Sequence, residues 1–461
     1  MSVAKKQLKL GAFLSVPGNH LAGWRHPDAV VETDMDFAWY MRLAQMAERA
    51  LYDTIFFQDT VAVAGSDALK AGDLTRTRLS RIVKLEPTAC LAAMAMGTTH
   101  IGLVATATTT FNEPYNIARR FATIDHISNG RCGWNLVTSQ IEDEAGNFNL
   151  DTHVNHAERY ERAIEFFDVV AGLWDSWEED AFLRDKESGV WFDREKMHFL
   201  DHHGAHFNVR GPLNVSRTPQ GRPVVAQAGS SEPGRELAAR TADVVFTAQT
   251  ELAAAREFFA DVKGRTTKYG REPDDIKIMP GITPVIGRTQ AEAREKYEQL
   301  QFLLPDDVAL AALARFTRGI DIFSYPLHGP MPDLPEANSA KSRQKLIMDM
   351  ARKDNLSLIQ TARSVSAAQG HRVLVGTPEY IADELQEWLE KDAADGFNVI
   401  CNYYPKPFED FSNLVIPELQ RRGIFRTAYE GRTLRENLGL KVPPNRYTAA
   451  RGGVRGPGNN S

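Results

Sequence analysis

Eight short apolar segments, each followed by residues with helical spacing, constrain the fold more than any other feature of this sequence. They lie at residues 8–14, 54–59, 101–109, 132–137, 224–229, 243–248, 276–286 and 397–402. Strands that alternate with helices are typical of a parallel sheet, and eight such units favour a closed barrel over an open doubly wound sheet. No Gly-x-Gly-x-x-Gly motif follows the first segment, so the main support for a Rossmann domain is missing. The sequence therefore predicts an α/β protein with the (β/α)8 TIM-barrel fold.

The length of 461 residues exceeds a usual single domain and indicates either two domains or one barrel with insertions. Because no second block of different composition is present, we predict a single barrel domain over residues 1–442. Two stretches interrupt the alternation, at about 177–222 and 303–371, and are interpreted as insertions. Residues 443–461 are rich in glycine and proline and predict a loosely ordered tail.

Charge and composition exclude several classes of protein. A formal net charge of −6 without a basic run argues against a nucleic-acid partner. No segment approaches the roughly 18 uninterrupted apolar residues of a membrane helix, and the first residues lack a secretory pattern. Cys90, Cys132 and Cys401 are too few and too far apart for a disulfide framework or a zinc site. We therefore expect a cytoplasmic protein with neither a membrane partner nor a bound metal.

Polar residues end several of the predicted strands. Residues 119–139 show this most clearly, since a helix and a Ser-Asn-Gly-Arg turn lead into an apolar strand with a polar end. In a barrel the carboxyl ends of the strands meet at one mouth, so such residues become neighbours. The residues collected in this way are Asp59, Thr106, Asn135, Thr138, Ser139, Ser230 and Ser231, with His156 and Tyr160 just beyond. Asn135 stands out because an amide in an apolar strand needs a partner when it is buried.

Ser230 and Ser231 lie between an apolar strand and a helix that is predicted to start near Pro233. Hydroxyl groups and free N–H groups at a helix N-terminus can bind a phosphate, and Arg235 one turn later could add positive charge. The simpler interpretation is that one serine caps the helix. Taken alone, this pattern favours the cap.

The other candidate residues also allow two interpretations. His156 and Tyr160 are four residues apart and share one helix face, so they could contact an anionic or flavin-like ligand, or Tyr160 could belong to the core. Asp59 could be a ligand group, a general base or a turn cap. Trp24 and Arg25 could form an aromatic and cationic wall for a substrate or a packed loop corner. The histidines between residues 198 and 206 lack the spacing of a metal site and predict a surface loop.

Longer motifs together resemble one family. The resemblance rests on RRFATIDHISNGRCGWNLVTS, NHAERYERAIEFF, PQGRPVVAQAGSSEPGRELAARTADVVF and LRENLGLKVPPNRY. These are similar to motifs of the flavin monooxygenases grouped with nitrilotriacetate monooxygenase component A, in the bacterial luciferase-like superfamily. That group includes monooxygenases acting on EDTA, dibenzothiophene sulfone, dimethyl sulfide and long-chain alkanes. The resemblance extends from about residue 8 to residue 447.

This resemblance implies a luciferase-like TIM barrel that uses reduced FMN (FMNH2) from a separate NAD(P)H:flavin reductase. In such enzymes the reduced flavin reacts with O2 to give a flavin peroxide, which oxygenates a small organic substrate. The substrate would be a sulfur compound, an aminopolycarboxylate or an alkane, and the protein would form a homo-oligomer, a dimer or tetramer. Two alternatives stay open: a deazaflavin (F420)-dependent oxidoreductase of the same fold, and a flavin-binding protein without catalytic activity.

The same resemblance implies roles for individual residues. The expected FMN contacts are Asp59, Thr106, Asn135, His156, Tyr160, Ser230 and Ser231, with the phosphate at the two serines. His20 is the expected catalytic residue, since a neutral imidazole could hydrogen-bond the peroxide oxygen or shuttle its proton near pH 7. The expected substrate contacts are Trp24, Arg25, Gln140 and His328. The insertion at 303–371 is expected to be a mobile lid that excludes water.

Overall fold

The computed structural model describes residues 6–63, 83–314, 316–317, 320–333 and 341–451, the side chains of 341–343 excepted. Its strands are β1 (Lys9–Phe13), β2 (Thr54–Phe57), β3 (Gly102–Thr108), β4 (Cys132–Val137), β5 (His202–His203), β6 (Asn208–Val209), β7 (Val224–Gln227), β8 (Val244–Thr247), β9 (Lys277–Ile286), β10 (Arg372–Gly376) and β11 (Gly396–Ile400).

Eight of these strands form a closed parallel barrel. The order of pairing is β9-β11-β1-β2-β3-β4-β7-β8, and β8 pairs with β9 to complete the ring. The predicted (β/α)8 fold is thus confirmed, and each predicted apolar segment overlaps one barrel strand. Strand β10 was not predicted from the sequence; it pairs in parallel with residues 282–286 of β9, starting at Ile282, the last residue of β9 that pairs with β11.

Helices alternate with the strands and cover the barrel. Their bounds are α1 (Phe37–Arg49), α2 (Pro87–Ala95), α3 (Pro114–Ile127), α4 (His156–Trp174), α5 (Glu232–Thr241), α6 (Leu252–Arg265), α7 (Gln290–Phe302), α8 (Asp306–Ala314), α9 (Lys341–Lys353), α10 (Leu358–Ala368), α11 (Pro378–Glu390), α12 (Lys406–Asp410), α13 (Ile416–Arg421), α14 (Leu434–Leu438) and α15 (Arg446–Arg451). Within the described ranges, no helix combines the length and apolar character that a membrane span requires.

Apolar side chains fill the inside of the barrel. The rings of Phe13, Phe56 and Phe246 lie against one another, with centroids 5.4–5.6 Å apart. They belong to a buried cluster that also contains Val104 of β3 and leucines of α14. Alternate residues of a strand point to the same face. Thr106 therefore faces the barrel interior above this layer, and so does Asn135, its partner in the register of β3 and β4.

Helix α14 closes the end of the barrel from which the strands start. Arg435 on this helix is 2% exposed and binds Asp243, just before β8, through both terminal nitrogens at 2.7 and 3.1 Å. The Asp243 carboxylate also accepts a hydrogen bond from the Val225 backbone N–H at 2.8 Å. Burial alone would raise the pKa of Asp243, but the charge and hydrogen bonds of Arg435, together with the charges of Arg271 and Arg222, outweigh it and the pKa lies below its ordinary value.

The insertion at 177–222 carries the short hairpin β5–β6. Glu165 on α4 holds this hairpin, accepting hydrogen bonds from the imidazole of His202 at 3.0 Å and from the backbone N–H of Phe207 at 2.9 Å. His198 is bonded to Glu178 at 2.7 Å. In the part of the chain that the structure describes, no histidine, cysteine and acidic side chains converge as a metal site requires.

The insertion at 303–371 forms helices α8, α9 and α10 around an apolar cluster of its own. Two residues of that cluster, Leu21 and Ala22, come from the loop after β1. The backbone N–H of Leu21 also donates to the carbonyl of Ser366 on α10, at 3.3 Å. The loop after β1 is therefore packed as a part of this insertion.

The predicted C-terminal tail begins with ordered contacts. Asn445 is buried, and its amide donates to the carbonyl oxygens of Asp175 and Trp177, both at 3.0 Å. Helix α15 follows it, and residues 452–461 lie outside the described part of the chain.

Candidate active site

His20 lies on the loop that crosses the carboxyl end of β11. Its backbone N–H donates to the carbonyl of Asn402 at 3.2 Å, and the residue is 2% exposed. The imidazole Nδ1 accepts a hydrogen bond from the Ala22 backbone N–H at 3.1 Å, which leaves the proton on Nε2. Nε2 is buried and has no protein partner among the described residues. His20 is therefore a hydrogen-bond donor at the barrel mouth with its donor still available.

Burial also decides the protonation state of His20. Loss of solvation lowers its pKa from 6.5 to about 4, so the imidazole is neutral at physiological pH. This pKa distinguishes the two roles that were predicted for His20 from the sequence, hydrogen bonding to an oxygen and proton transfer near pH 7. A neutral N–H that donates to a ligand oxygen agrees with this pKa, whereas a side chain that exchanges its proton near pH 7 does not.

We expect His20 to make the folded protein less stable in acid. Its pKa in the folded protein is about 4, against 6.5 for an ordinary histidine, so between these values only the unfolded chain takes up this proton. Stability is lost as the pH falls through this window, by about 3 kcal/mol in all. Urea unfolding at pH 7 and pH 4.5 checks this, because a His20→Asn variant should lose less stability than the wild type. Equal losses would contradict the buried neutral imidazole.

Thr106 and Asn135 form a hydrogen-bonded pair inside the barrel mouth. The Thr106 hydroxyl donates to the carbonyl of Phe57 at 2.7 Å and accepts from the Asn135 amide, also at 2.7 Å. These bonds fix the orientation of the Asn135 amide, whose Oδ1 is buried and has no protein partner in the described chain. The pair thus presents one acceptor oxygen to whatever occupies the mouth.

Ser231 caps helix α5, as the simpler interpretation of the sequence holds. Its Oγ accepts from the Gly234 backbone N–H at 3.3 Å and lies 3.5 Å from the Tyr160 hydroxyl. Ser230 Oγ lies 3.1 Å from Thr247 Oγ1. Arg235 contacts the first of these serines, because its Nε donates to the Ser230 backbone carbonyl at 3.1 Å, while its Nη1 pairs with Asp261 at 2.8 Å.

Tyr160 and His156 stand next to these serines. Their rings are 4.9 Å apart, with His156 exposed and Tyr160 half-buried against the core, and a contact of Tyr160 with a ligand stays a prediction. Gly229 lies between this pair and α5. A Cβ at Gly229 would lie 2.9 Å from Gly234 Cα and 3.3 Å from the Tyr160 hydroxyl. The nearest atom would be Gln227 Nε2, so the absence of a side chain at Gly229 allows the loop to pack closely where the predicted phosphate residues converge.

Asp59 lies two residues after β2. Its carboxylate pairs with Lys84 Nζ at 2.9 Å, and this lysine also donates to the Thr60 hydroxyl at 3.0 Å. Burial raises the pKa of Asp59 above its ordinary value, although Lys84 opposes this. Asp59 is thus a paired carboxylate and not an isolated base.

The four predicted substrate residues lie on three separate segments. Trp24 is half-buried on the loop after β1, and the exposed Arg25 beside it donates to the carbonyl of Leu303 in the insertion. Gln140 follows the end of β4 and is exposed, and His328 is exposed on the insertion. Arg25 therefore connects the His20 loop with the insertion.

Several mouth residues were not predicted. His371 stacks on Phe246 with centroids 5.1 Å apart, and it was missed because it precedes the unpredicted strand β10. Thr283 and Asn402 share the strand alternation of interior residues, and Thr283 Oγ1 and Asn402 Oδ1 are buried without a protein partner in the described ranges. Asn402 could have been predicted as a mouth residue, because it is the polar last residue of the final predicted strand.

Buried polar atoms without partners are costly, and such atoms usually mark a missing ligand or water. The buried atoms without partners at this mouth include a donor on His20 and acceptors on Asn135 and Asn402. A flavin suits this set, because its ring carries both N–H donors and carbonyl acceptors, and its phosphate suits the serine and tyrosine hydroxyls beside Gly229. The residues present therefore fit FMN.

Comparison with known proteins gives an independent result. Residues 16–396 match the family described as luciferase-like monooxygenase. The chain is 49% identical to N-acetyl-S-(2-succino)cysteine monooxygenase of Bacillus subtilis (strain 168), over 97% of this chain and 100% of that protein. It is 50% identical to nitrilotriacetate monooxygenase component A of Aminobacter aminovorans, over 96% of this chain and 98% of that protein.

A crystal structure of a riboflavin lyase with modified FMN and its substrate riboflavin has a similar fold. It superposes with a TM-score of 0.84 at 33% identity, over 98% of this chain and 100% of that chain. The resemblance that the sequence motifs indicated is thus confirmed over nearly the whole length.

Proposed function

Because this chain belongs to the luciferase-like monooxygenase family and is a flavin-dependent monooxygenase, we propose that it uses reduced FMN supplied by a separate NAD(P)H:flavin reductase. When bound, the reduced cofactor supplies the electrons that activate O2. The observation that carries the proposal is the buried Nε2–H of His20 at the same mouth as the Asn135 acceptor oxygen. Relatives at 49% and 50% identity are monooxygenases, which favours this function over a deazaflavin-dependent oxidoreductase.

Each protein group has a definite task in this proposal. Ser230, Ser231, Tyr160 and His156 bind the phosphate, and Asn135 accepts a hydrogen bond from the flavin ring. Thr106 keeps the Asn135 amide in the required orientation through the 2.7 Å hydrogen bond. Asp59, held by Lys84, contacts the cofactor from the β2 side. His20 donates its Nε2 proton as a hydrogen bond to the oxygen that is transferred, and remains neutral while doing so.

We further propose a substrate with several carboxylate groups. The two relatives at 49% and 50% identity act on N-acetyl-S-(2-succino)cysteine and on nitrilotriacetate, both of which carry several carboxylates. Trp24, Arg25, Gln140 and His328 remain the predicted substrate contacts. The test supplies FMN, NADH and a flavin reductase under air with nitrilotriacetate, a thioether polycarboxylate, dibenzothiophene sulfone and an alkane. Oxygenated product from a carboxylate supports the proposal, and no oxygenated product from any substrate would contradict it.

The phosphate site is tested by a Ser231→Asp substitution. A carboxylate beside the phosphate should weaken binding of reduced FMN by about 30-fold, because like charges in contact repel. Aspartate caps a helix as well as serine does, so the thermal stability should stay unchanged. Anaerobic fluorescence titration measures the affinity.

Two controls make this test specific. Reduced riboflavin lacks the phosphate, so its affinity should be the same in the wild type and in Ser231→Asp. Ser357 caps α10 by accepting from the Gln360 backbone N–H, and Ser357→Asp should leave both affinities unchanged. Unaltered FMN affinity in Ser231→Asp would mean that the phosphate lies elsewhere.

A further inference from the structure

Arg159 is a buried arginine to which neither the sequence motifs nor the proposed function assigns a role. It lies in the second turn of α4, directly before Tyr160, and is 7% exposed. Its Nη1 donates to the backbone carbonyl of Ser139. Its Nε is buried and has no hydrogen-bond partner among the described residues.

No carboxylate of the described residues neutralises this guanidinium. Within the described chain Arg159 forms no ion pair, and Glu142 and Glu144 act on it only through longer-range attraction. The Glu144 carboxylate is already bonded, since it accepts from the backbone N–H groups of Val61 at 3.1 Å and Ile141 at 3.4 Å. Burial lowers the pKa of Arg159, but an arginine remains protonated in proteins. A buried charge without a paired anion is costly unless a ligand supplies one.

The position of Arg159 puts it at the barrel mouth. Ser139, whose carbonyl it binds, follows the end of β4, the strand that carries Asn135. The Ser139 hydroxyl donates to Thr108 Oγ1 at the end of β3, at 2.9 Å. Gln140, a predicted substrate contact, is the next residue. Ser139 also has a left-handed backbone with φ of 55°, which a serine adopts rarely.

We propose that Arg159 binds an anionic oxygen group in the mouth of the barrel, either a carboxylate of the substrate or the phosphate of the cofactor. A guanidinium presents several N–H donors in one plane and matches both groups. Ser139 holds one end of the guanidinium in place, and the Nε donor is left for the ligand. The inference rests on the proposed function only for the identity of the anion.

The experiment compares the wild type with Arg159→Gln in two binding measurements. Flavin-free protein is titrated with nitrilotriacetate by calorimetry, and anaerobic protein is titrated with reduced FMN and reduced riboflavin. Arg159→Gln should weaken binding of one anion by about 30-fold, since one partner of a buried charged hydrogen bond is lost. Weaker nitrilotriacetate binding identifies the carboxylate as the anion. Weaker FMN binding with unchanged riboflavin binding identifies the phosphate.

Arg162 provides a matched control. It lies one turn further along α4, donates to the backbone carbonyls of Thr109 at 3.3 Å and Asn112 at 3.4 Å, and has its guanidinium over the Phe207 ring. Arg162→Gln should leave both anion affinities within about twofold of the wild type. An equal loss in both variants would mean a general structural effect and would overturn the proposal.

A second variant separates binding from folding. Arg159→Lys keeps the positive charge, and we expect it to retain the thermal stability and to weaken anion binding less than Arg159→Gln does. The proposal is overturned if Arg159→Gln binds both anions with unchanged affinity. It is also overturned if the wild type binds neither anion. Arg159-dependent binding of nitrilotriacetate without any oxygenated product would instead refute the proposed function and leave this inference standing.

Discussion

Replacement of His20 by alanine is expected to reduce the rate of substrate oxygenation by about 10²–10³-fold, the usual effect of removing one preorganised donor from a reacting oxygen. The reason is the position of Nε2, which is buried, protonated and without a protein partner in the described chain. Reduced FMN should bind within about threefold of its wild-type affinity, because the proposed contacts with the phosphate and the ring come from other residues. Product formation and hydrogen peroxide release, measured together, give the fraction of reduced flavin that is oxidised without oxygenation of the substrate.

His26 serves as the control for His20. It lies on the same loop, where its ring stacks on Tyr403 with centroids 4.2 Å apart. His26→Ala should change the oxygenation rate by less than about threefold. The pH profile gives an independent check: a pKa of about 4 predicts no ionisation of His20 between pH 6 and pH 9. A rate that follows a His20-dependent ionisation near pH 7 would contradict the donor role.

Replacement of Arg435 by methionine is expected to destabilise the protein by about 3 kcal/mol, because the buried Asp243 carboxylate loses its two hydrogen bonds from Arg435 and keeps only the longer ion pair with Arg271, at 3.8 Å. Arg435 contributes two hydrogen bonds to that carboxylate and closes the end of the barrel with α14. Urea unfolding at pH 7 measures the loss. Arg432, exposed just before α14, is the control, and Arg432→Met should change stability by less than about 0.5 kcal/mol.

The sign of the pH dependence gives this prediction a second check. In the wild type the pKa of Asp243 is lowered, so its stabilising effect is present at neutral pH and is lost in acid. Without Arg435, burial raises this pKa, and the folded state then binds the proton more tightly than the unfolded chain. The deficit of Arg435→Met should therefore shrink as the pH falls. Adding Asp243→Asn should recover part of the stability at pH 7, and a deficit that grew in acid would contradict this account.

The sequence was sufficient to predict the barrel and part of the mouth. Alternation of apolar strands and helices predicts the closed sheet, and an amide within an apolar strand identifies Asn135, which lies inside the mouth as expected. These two predictions were possible because the closed sheet and the position of Asn135 both follow from local sequence patterns. The roles assigned to single residues at the mouth from family resemblance remain predictions that the variants described above would test.

Other features depend on tertiary packing and were not predictable from sequence. Strand β10 is recognisable only through its pairing with the far half of β9, so His371 could not be assigned to the mouth. Arg235 donates to the backbone carbonyl of Ser230, but its guanidinium also pairs with Asp261 on another helix, and that pairing could not be predicted from the sequence. For Arg159 the sequence is also insufficient, because an arginine within a helical motif is expected to be exposed to solvent. The structure shows instead that Arg159 is buried without a carboxylate partner in the described chain.

The packing of Leu21 and Ala22 into the insertion at 303–371 has a consequence for engineering and for the divergence of these enzymes. Transplanting the insertion alone from a relative would set a foreign apolar surface against these two residues, and the backbone N–H of Ala22 orients the His20 imidazole. Such a chimera should lose coupling between flavin oxidation and product formation even if it folds. The exchangeable module is the loop after β1 together with the insertion, so new substrate ranges should arise by joint change of two segments that are far apart in the gene.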